Sequence, residues 1–224
     1  HVLLEKPFTG SLRYADERIA EADRYKTADA IAQRVIKLLG TAYDGTAFVT
    51  TGANFPDALA SAPLAAAKHW PLYLADPRTG LSTSTRSAMR GVKRAVILGS
   101  TSAVPQTTED VLKADFGSGN VLRLGGPDRF QTAVAVATYA RDHCGHSFNR
   151  VGICTGWNFP DALAGGVQQG KVGSVLLLAG PSGLDAGTAT ALTQNKADIG
   201  SVTFFGSTGA VPQVVRDQVS AALR

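Results

Sequence analysis

A ten-residue motif occurs twice with one difference, as TGANFPDALA at residues 51–60 and as TGWNFPDALA at residues 155–164. Two further pairs of motifs keep nearly the same spacing. They are RIAEADRYKTA (18–28) with RLGGPDRFQTA (123–133), and GSTSAVPQ (99–106) with GSTGAVPQ (206–213). Three motifs repeated in one order indicate a tandem duplication. We therefore predict a linker or remnant at residues 1–15 and two copies of one unit, at residues 16–120 and 121–224.

Each copy is predicted to be an α/β unit, a small and mostly parallel sheet flanked by helices, because short apolar runs alternate with stretches of helical period. A helix is expected over Arg24–Leu39, with Ala28, Ile31, Ala32, Val35 and Leu39 on one face. The predicted strands are a short one at Ile19, then 47–50, 72–75 and 95–98 in the first copy, and 121–124, 151–154, 175–178 and 202–205 in the second.

Composition excludes several classes of protein. Hydrophobic residues make up 44% of the chain and charged residues 18%, which is typical of a folded globular protein. The net charge of +4 comes from charges of mixed sign without a basic run, so nucleic acid is not expected as a partner. The longest apolar run, residues 175–179, is far shorter than the roughly 20 residues that span a bilayer, so no membrane insertion is expected.

The repeated motifs follow strands and lead into helices, at the sheet edge where open parallel sheets bind ligands. In the TGxNFPD loop, Asn54 is predicted to cap a helix while Asp57 reaches back to it. The alternative is an anion site, in which free N–H groups at the helix start face a ligand that approaches closely over Gly52. Both interpretations apply equally to the second copy. The candidate ligand-binding residues in these two loops are Thr51, Gly52, Asn54, Asp57, Thr155, Gly156, Asn158 and Asp161.

Two arginines stand at the same edge. Asp23 and Asp128 are predicted N-caps, so Arg24 and Arg129 lie in the first turn of their helices, where a cation opposes the helix dipole. A negative partner is expected, either an internal carboxylate such as Asp57 or Asp161, or a ligand. The GST turns add hydroxyl and backbone donors. Their candidate residues are Ser100, Thr101, Ser207 and Thr208.

No catalytic or metal site is expected, and no cofactor. The sequence has no G-x-S-x-G elbow and no Walker-type loop, and the cluster around His143 and His146 has no second ligand pair for zinc. Cys144 and Cys154 are either a disulfide or two buried free thiols.

The three motifs resemble the cell wall-binding repeat 2 family of Gram-positive surface proteins and autolysins. The resemblance covers residues 16–115 and 121–223 and implies a Toprim-like fold, although the sequence lacks the D-x-D of Toprim enzymes. It also implies a secreted protein at the cell wall or cell surface. Such modules commonly occur as three copies that pack as a triangle, so a further repeat or self-association is a possible partner here.

Three functions are compared. The leading one is noncovalent anchoring of an exported protein to the wall through an anionic secondary wall polymer, without enzymatic activity. The second is a protein-interaction or assembly module of a surface protein, and the third is part of a peptidoglycan hydrolase. Binding to wall before and after removal of the anionic polymer separates the first two.

Overall fold

The structure is a computed structural model that describes residues 19–224. The predicted linker at residues 1–15 lies outside the described residues, as does Arg18. The strands are β1 (Thr46–Thr51), β2 (Leu72–Ala75), β3 (Arg94–Leu98), β4 (Val121–Leu124), β5 (Ser147–Thr155), β6 (Ser174–Ala179) and β7 (Ser201–Phe205). The helices are α1 (Arg24–Leu39), α2 (Pro56–Ala60), α3 (Ala62–Lys68), α4 (Thr83–Ala88), α5 (Gln106–Phe116), α6 (Arg129–Cys144), α7 (Pro160–Lys171), α8 (Ala186–Gln194) and α9 (Gln213–Leu223).

Two parallel sheets confirm the predicted α/β repeats. The first has the strand order β2-β1-β3-β4 and the second β6-β5-β7, and every pairing in both is parallel. The predicted strand at Ile19 is wrong, because Ile19 and Ala20 have no regular secondary structure. All seven other predicted strands are present.

Helix α1 has the predicted bounds, but its buried face is rotated from the predicted one. Ile31 is 47% exposed, whereas Asp29 and Ala32 are buried. The reason is a tertiary contact, since the Thr85 hydroxyl of α4 donates to the Asp29 carboxylate at 3.0 Å. The buried face of α1 is therefore shifted toward Asp29, and Ile31 lies on the exposed side.

Strand β4 begins the second copy in sequence but completes the sheet of the first copy. It pairs with β3, in a register that sets Arg123 opposite Ile97. The Arg123 side chain then reaches back into the first copy, where Nη1 donates to the carbonyls of Gly99 at 2.9 Å and Val104 at 3.0 Å. The two copies are thus joined by a strand as well as by their connecting chain.

The copies also share one hydrophobic core. Phe48, Leu59 and Leu64 of the first copy belong to the same buried cluster as Val136 and Leu178 of the second. A second, smaller cluster lies within the first copy and includes Val49, Tyr73 and Ile97. Burial of this continuous apolar surface holds the copies together.

Helices α3 and α7 meet through glycines. A Cβ atom on Gly170 would lie 2.4 Å from the carbonyl oxygen of Pro63, and one on Gly166 would lie 2.3 Å from the Cβ of Ala62. Neither approach is possible without moving one helix. The glycines therefore permit the close approach of the two copies.

We expect Gly170→Ala to lower the free energy of unfolding by about 2 kcal/mol, because overpacking at backbone outweighs the gain in helix propensity. Gly119→Ala is the control, since no atom lies within 4 Å of its added Cβ. Thermal denaturation of both variants measures the difference. A Gly170→Ala protein as stable as the Gly119→Ala protein would show that the helices can separate at no cost.

Cys144 and Cys154 are both buried free thiols, which decides between the two alternatives that the sequence left open. Burial raises the pKa of the Cys154 thiol to about 12 and raises that of Cys144 as well. A thiol reacts as the thiolate, so both residues are structural rather than reactive at neutral pH.

Candidate functional site

The TGxNFPD loops close themselves with their own side chains. The hydroxyl of Thr51 accepts from the backbone N–H of Ala53 at 3.2 Å, and Thr155 does the same for Trp157. These loops connect β1 to α2 and β5 to α7, so both lie at the carboxyl edge of their sheets. The two threonines are therefore buried turn residues as well as ligand candidates.

The predicted capping of α2 by Asn54 and Asp57 is wrong. The Asn54 side chain accepts from the N–H of the next residue, Phe55, at 2.9 Å. Phe55, and not Asn54, is the N-cap of α2, and it makes no side-chain cap. Asp57 turns instead toward Gly99, where an added Cβ would lie 2.5 Å from its Oδ2. Gly99 has a φ of 105°, so only glycine suits both the backbone and the space.

The second copy repeats this arrangement. Asn158 accepts from Phe159 at 2.9 Å, and an added Cβ on Gly206 would lie 2.5 Å from Oδ2 of Asp161. Each aspartate thus packs against the glycine that follows the last strand of its copy's repeat, β3 or β7. This brings the TGxNFPD loop and the GST turn together in both copies.

The helix caps at Asp23 and Asp128 are confirmed, and they direct the two arginines to a backbone partner. Asp23 accepts from Lys26 N–H, and Asp128 from the N–H groups of Phe130 and Gln131. Arg24 Nη1 donates to the Gly52 carbonyl at 2.7 Å, and Arg129 Nη1 to the Gly156 carbonyl at 2.6 Å.

The predicted ion pairs of Arg24 and Arg129 with Asp57 and Asp161 are therefore not found among the described residues. Each guanidinium reaches the carbonyl of its own loop, while Asp57 and Asp161 are turned toward the GST glycines.

Gly52 and Gly156 have a different role from the predicted one. An added Cβ on Gly52 would lie 2.4 Å from the Tyr25 ring, and one on Gly156 would lie 3.1 Å from the Phe130 ring. Both glycines are buried. They make room for an aromatic ring of the preceding helix, rather than for a ligand.

A cavity of about 330 Å³ lies where the first copy's carboxyl edge meets the start of the second copy. It brings together five of the predicted residues: Thr51, Asn54, Asp57, Ser100 and Arg129. Residues that were not predicted to bind a ligand complete the lining: Ala53, Pro56, Pro77, Ser102, Ala103, Gly126, Pro127, Asp128 and Thr132. The sequence pattern grouped Arg129 with the second copy's loops, and the structure places it at the first copy's cavity too.

The cavity combines one cation with carboxylates, hydroxyls and an amide. Burial raises the pKa of Asp57, and a hydrogen bond with Thr132 and the charge of Arg129 act in the opposite direction. The Arg129 guanidinium also lies 4.5 Å from the centre of the Trp157 ring, in cation–π contact. Such a lining suits a ligand that carries both an anionic group and hydroxyls.

The other predicted residues lie outside this cavity. Thr155, Gly156, Asn158, Asp161, Ser207 and Thr208 form the corresponding edge of the second copy, and Arg24, Gly52 and Thr101 do not line the cavity. A larger surface cavity of about 540 Å³, on the outer side of α1, contains none of the predicted residues.

Sequence reasoning missed the most exposed aromatic residue of the region. Trp157 is 56% exposed and takes the place that Ala53 has in the first copy. This substitution within an otherwise repeated motif was the signal that could have identified it. Exposed tryptophans are enriched where an apolar ring and a polar N–H both contact a partner.

No group of three or more metal-ligating side chains occurs in residues 19–224. Within the same part of the chain, every helix is too short or too polar to cross a membrane.

A family model described as Cell wall binding domain 2 (CWB2) matches residues 18–109 and 123–216. The chain belongs to this family. CWB2 membership makes the protein a pair of cell wall-binding modules and associates it with the cell wall or cell surface. The two matched segments are the two copies of the sequence repeat, which confirms the resemblance read from the motifs.

Relatives of this CWB2 pair include two proteins of Bacillus subtilis (strain 168). The N-acetylmuramoyl-L-alanine amidase LytC is 28% identical over 93% of this chain, and the amidase enhancer is 27% identical over 92%. The chain spans only 39% and 26% of their lengths, respectively.

Two solved structures from Clostridium difficile share the fold. Cwp6 matches with a TM-score of 0.77 at 23% identity, covering 91% of this chain and 31% of that one. Cwp8 matches with a TM-score of 0.73 at 19% identity, covering 92% of this chain and 33% of that one.

Proposed function

We propose that this CWB2 pair holds an exported protein noncovalently to the bacterial cell wall by binding an anionic secondary wall polymer. The observation that carries the proposal is the cavity between the copies, where Arg129 faces hydroxyl, amide and carboxylate groups. The guanidinium binds the anionic group, and the remaining groups bind hydroxyls or sugar oxygens of the polymer.

The second copy offers a related surface. Its loop carries Asn158 and Asp161 in the geometry of the first copy, next to the exposed Trp157. Arg24, the counterpart of Arg129, donates to the Gly52 carbonyl beside the first copy's loop. We propose that these equivalent surfaces each bind one stretch of a repetitive polymer, so the chain binds multivalently.

We propose that the pair binds without catalysis. The amidase activity in the name of LytC belongs to a protein of which this chain spans 39%. Among the described residues, the cavity lining includes no histidine, which is the most frequent general base of enzymes, and no cysteine.

Binding to another protein module is the second candidate, favoured by an exposed apolar stripe on α7. Phe159, Leu163 and Val167, spaced by four residues, are each about half exposed. Their counterparts in the first copy are less exposed, and Leu59 and Pro63 are buried against the second copy. We propose that a further repeat covers the α7 stripe in the same way as the second copy covers Leu59 and Pro63 of the first.

Salt is expected to weaken retention on purified wall. Contacts between exposed arginines and anionic groups weaken as the Debye length falls from about 10 Å at 0.1 M to about 3 Å at 1 M. A sedimentation assay across this range measures the effect, with circular dichroism as the control for folding. Retention that does not change with salt would rule out an electrostatic contribution of the arginines.

A further inference from the structure

The contacts of Arg123 show how one copy accepts a strand from the next. Besides its two carbonyl partners, Arg123 Nε pairs with Glu109 of α5 at 2.7 Å. Lys113 pairs with the other oxygen of Glu109 at 2.6 Å. Both side chains of the Arg123–Glu109 pair are largely buried, 16% and 13% exposed. The docked strand thus supplies a cation, and the receiving copy supplies a carboxylate.

The second copy has reversed this charge. The GST motifs align with an offset of 107, so Glu109 corresponds to Arg216 and Lys113 to Ser220. Arg216 Nη2 donates to the Gly206 carbonyl and Nε to the Val211 carbonyl, both at 3.0 Å. Gly206 and Val211 are the counterparts of Gly99 and Val104, whose carbonyls accept from Arg123 in the first copy.

The register of the sheet confirms that Arg216 takes the place of an incoming arginine. In the first sheet, Arg123 lies opposite Ile97, and the counterpart of Ile97 is Phe204. The Arg216 guanidinium lies 4.7 Å from the centre of the Phe204 ring. The guanidinium of Arg216, which belongs to α9 of the second copy itself, therefore takes the position that the guanidinium of Arg123 from β4 has in the first copy.

The outer edge of β7 is open in the part of the chain that the structure describes. Four of the five β3 residues are buried beside β4. In β7, by contrast, Ser201 and Thr203 are exposed and the other three residues only half-buried. Because an unpaired edge presents free N–H and C=O groups, it can accept another parallel strand.

We propose that Arg216 determines which strand this edge accepts. It excludes a strand with arginine opposite Phe204, because a second guanidinium would find its two carbonyls occupied and a like charge in place of Glu109. It admits a strand with a carboxylate at that position, which pairs with Arg216 in reversed polarity. This inference rests on the proposal that a further repeat docks on the second copy, and it specifies the chemistry of that repeat's first strand.

A charge-swap experiment tests the inference. Arg224 is replaced by a copy of residues 117–127, which reproduces the connection from α5 to β4 after α9. One tail keeps the arginine copied from Arg123, and in the other tail this copied arginine is replaced by glutamate. Each tail is placed on the parent chain and on an Arg216→Glu chain. Hydrogen exchange of the backbone N–H groups in the tail strand measures docking.

We expect docking in two combinations, the Glu tail on the parent and the Arg tail on Arg216→Glu. The tail N–H groups should exchange about tenfold or more slowly there than in the two combinations that bring like charges together. Arg216→Leu removes the charge, so the Arg and Glu tails should then be protected equally. This variant also keeps the test valid if the Arg216→Glu protein folds poorly. Equal protection of both tails on the parent, or protection in none of the combinations, would overturn the inference.

Wall retention of the parent without a tail is measured in parallel. A parent chain that is not retained on wall would count against wall binding, whereas the tail experiment depends only on the β7 edge. The two proposals can therefore fail separately.

Discussion

Replacing Arg123 with methionine is expected to lower the free energy of unfolding by about 3 kcal/mol, since removal of one partner strands the other in a largely buried pair. The substitution leaves Glu109 with only Lys113, and the carbonyls of Gly99 and Val104 lose their shared donor. It also loosens β4, the strand that joins the copies. Denaturant unfolding measures the loss.

Arg86→Met is the matched control. Arg86 pairs with Asp115 at 2.7 Å, but the two side chains are 40% and 31% exposed. Such a surface pair contributes no more than about 1 kcal/mol. Equal losses for the two variants would mean that the bridge from β4 to the first copy does not stabilise the fold.

The Arg123→Met protein should also respond differently to acid. Lys113 and Arg123 lower the pKa of Glu109 below its usual 4.5. A carboxyl whose pKa is lower in the folded state stabilises the fold above its unfolded pKa, and this contribution is lost as the pH falls below 4.5 through the folded pKa. Removing Arg123 should reduce that acid-dependent loss.

The double variant Arg24→Ala with Arg129→Ala is expected to lose far more wall retention than either single variant, on the order of 100-fold below the parent. Arg24 lies beside the TGxNFPD loop of the first copy and Arg129 beside that of the second. A single variant therefore removes a cation from one copy and leaves the other copy's contact, whereas the double variant removes both. Each guanidinium donates to one loop carbonyl, Gly52 or Gly156, so the stability cost should be only about 1 kcal/mol per site.

Retention and melting temperature are measured on the same proteins, with Arg90→Ala as the charge control. Arg90 is exposed in the turn before β3, at the amino end of the sheet, opposite the carboxyl edge. Variants that melt much earlier yet, when folded, bind wall as well as the parent would make Arg24 and Arg129 structural residues.

The parts of the fold that depend on local pattern could be predicted from the sequence. Apolar runs indicated the strands of both sheets, and Asp23 and Asp128 indicated the starts of α1 and α6. The pattern could not indicate that β4 pairs with β3, because the apolar run at 121–124 suits either sheet. That choice depends on Arg123 and its partners 14 to 24 residues away.

The site was harder to predict for the same reason. The spacing of Asn54 and Asp57 is that of a capping box, but Asp57 packs against Gly99 and hydrogen-bonds Thr132, which are distant in sequence. Likewise, Arg129 reaches the first copy's cavity only because the copies pack together. The motifs before Glu109 and Arg216 are nearly identical in the two copies, so the motif pattern carries no signal of their opposite charges.

The most direct measurement compares binding of the parent chain to purified Gram-positive wall before and after its anionic polymer is removed. We predict saturable binding to intact wall, loss of binding to the stripped wall, and competition by the released polymer. Equal binding to intact and stripped wall, without competition by the polymer, would contradict the proposed function.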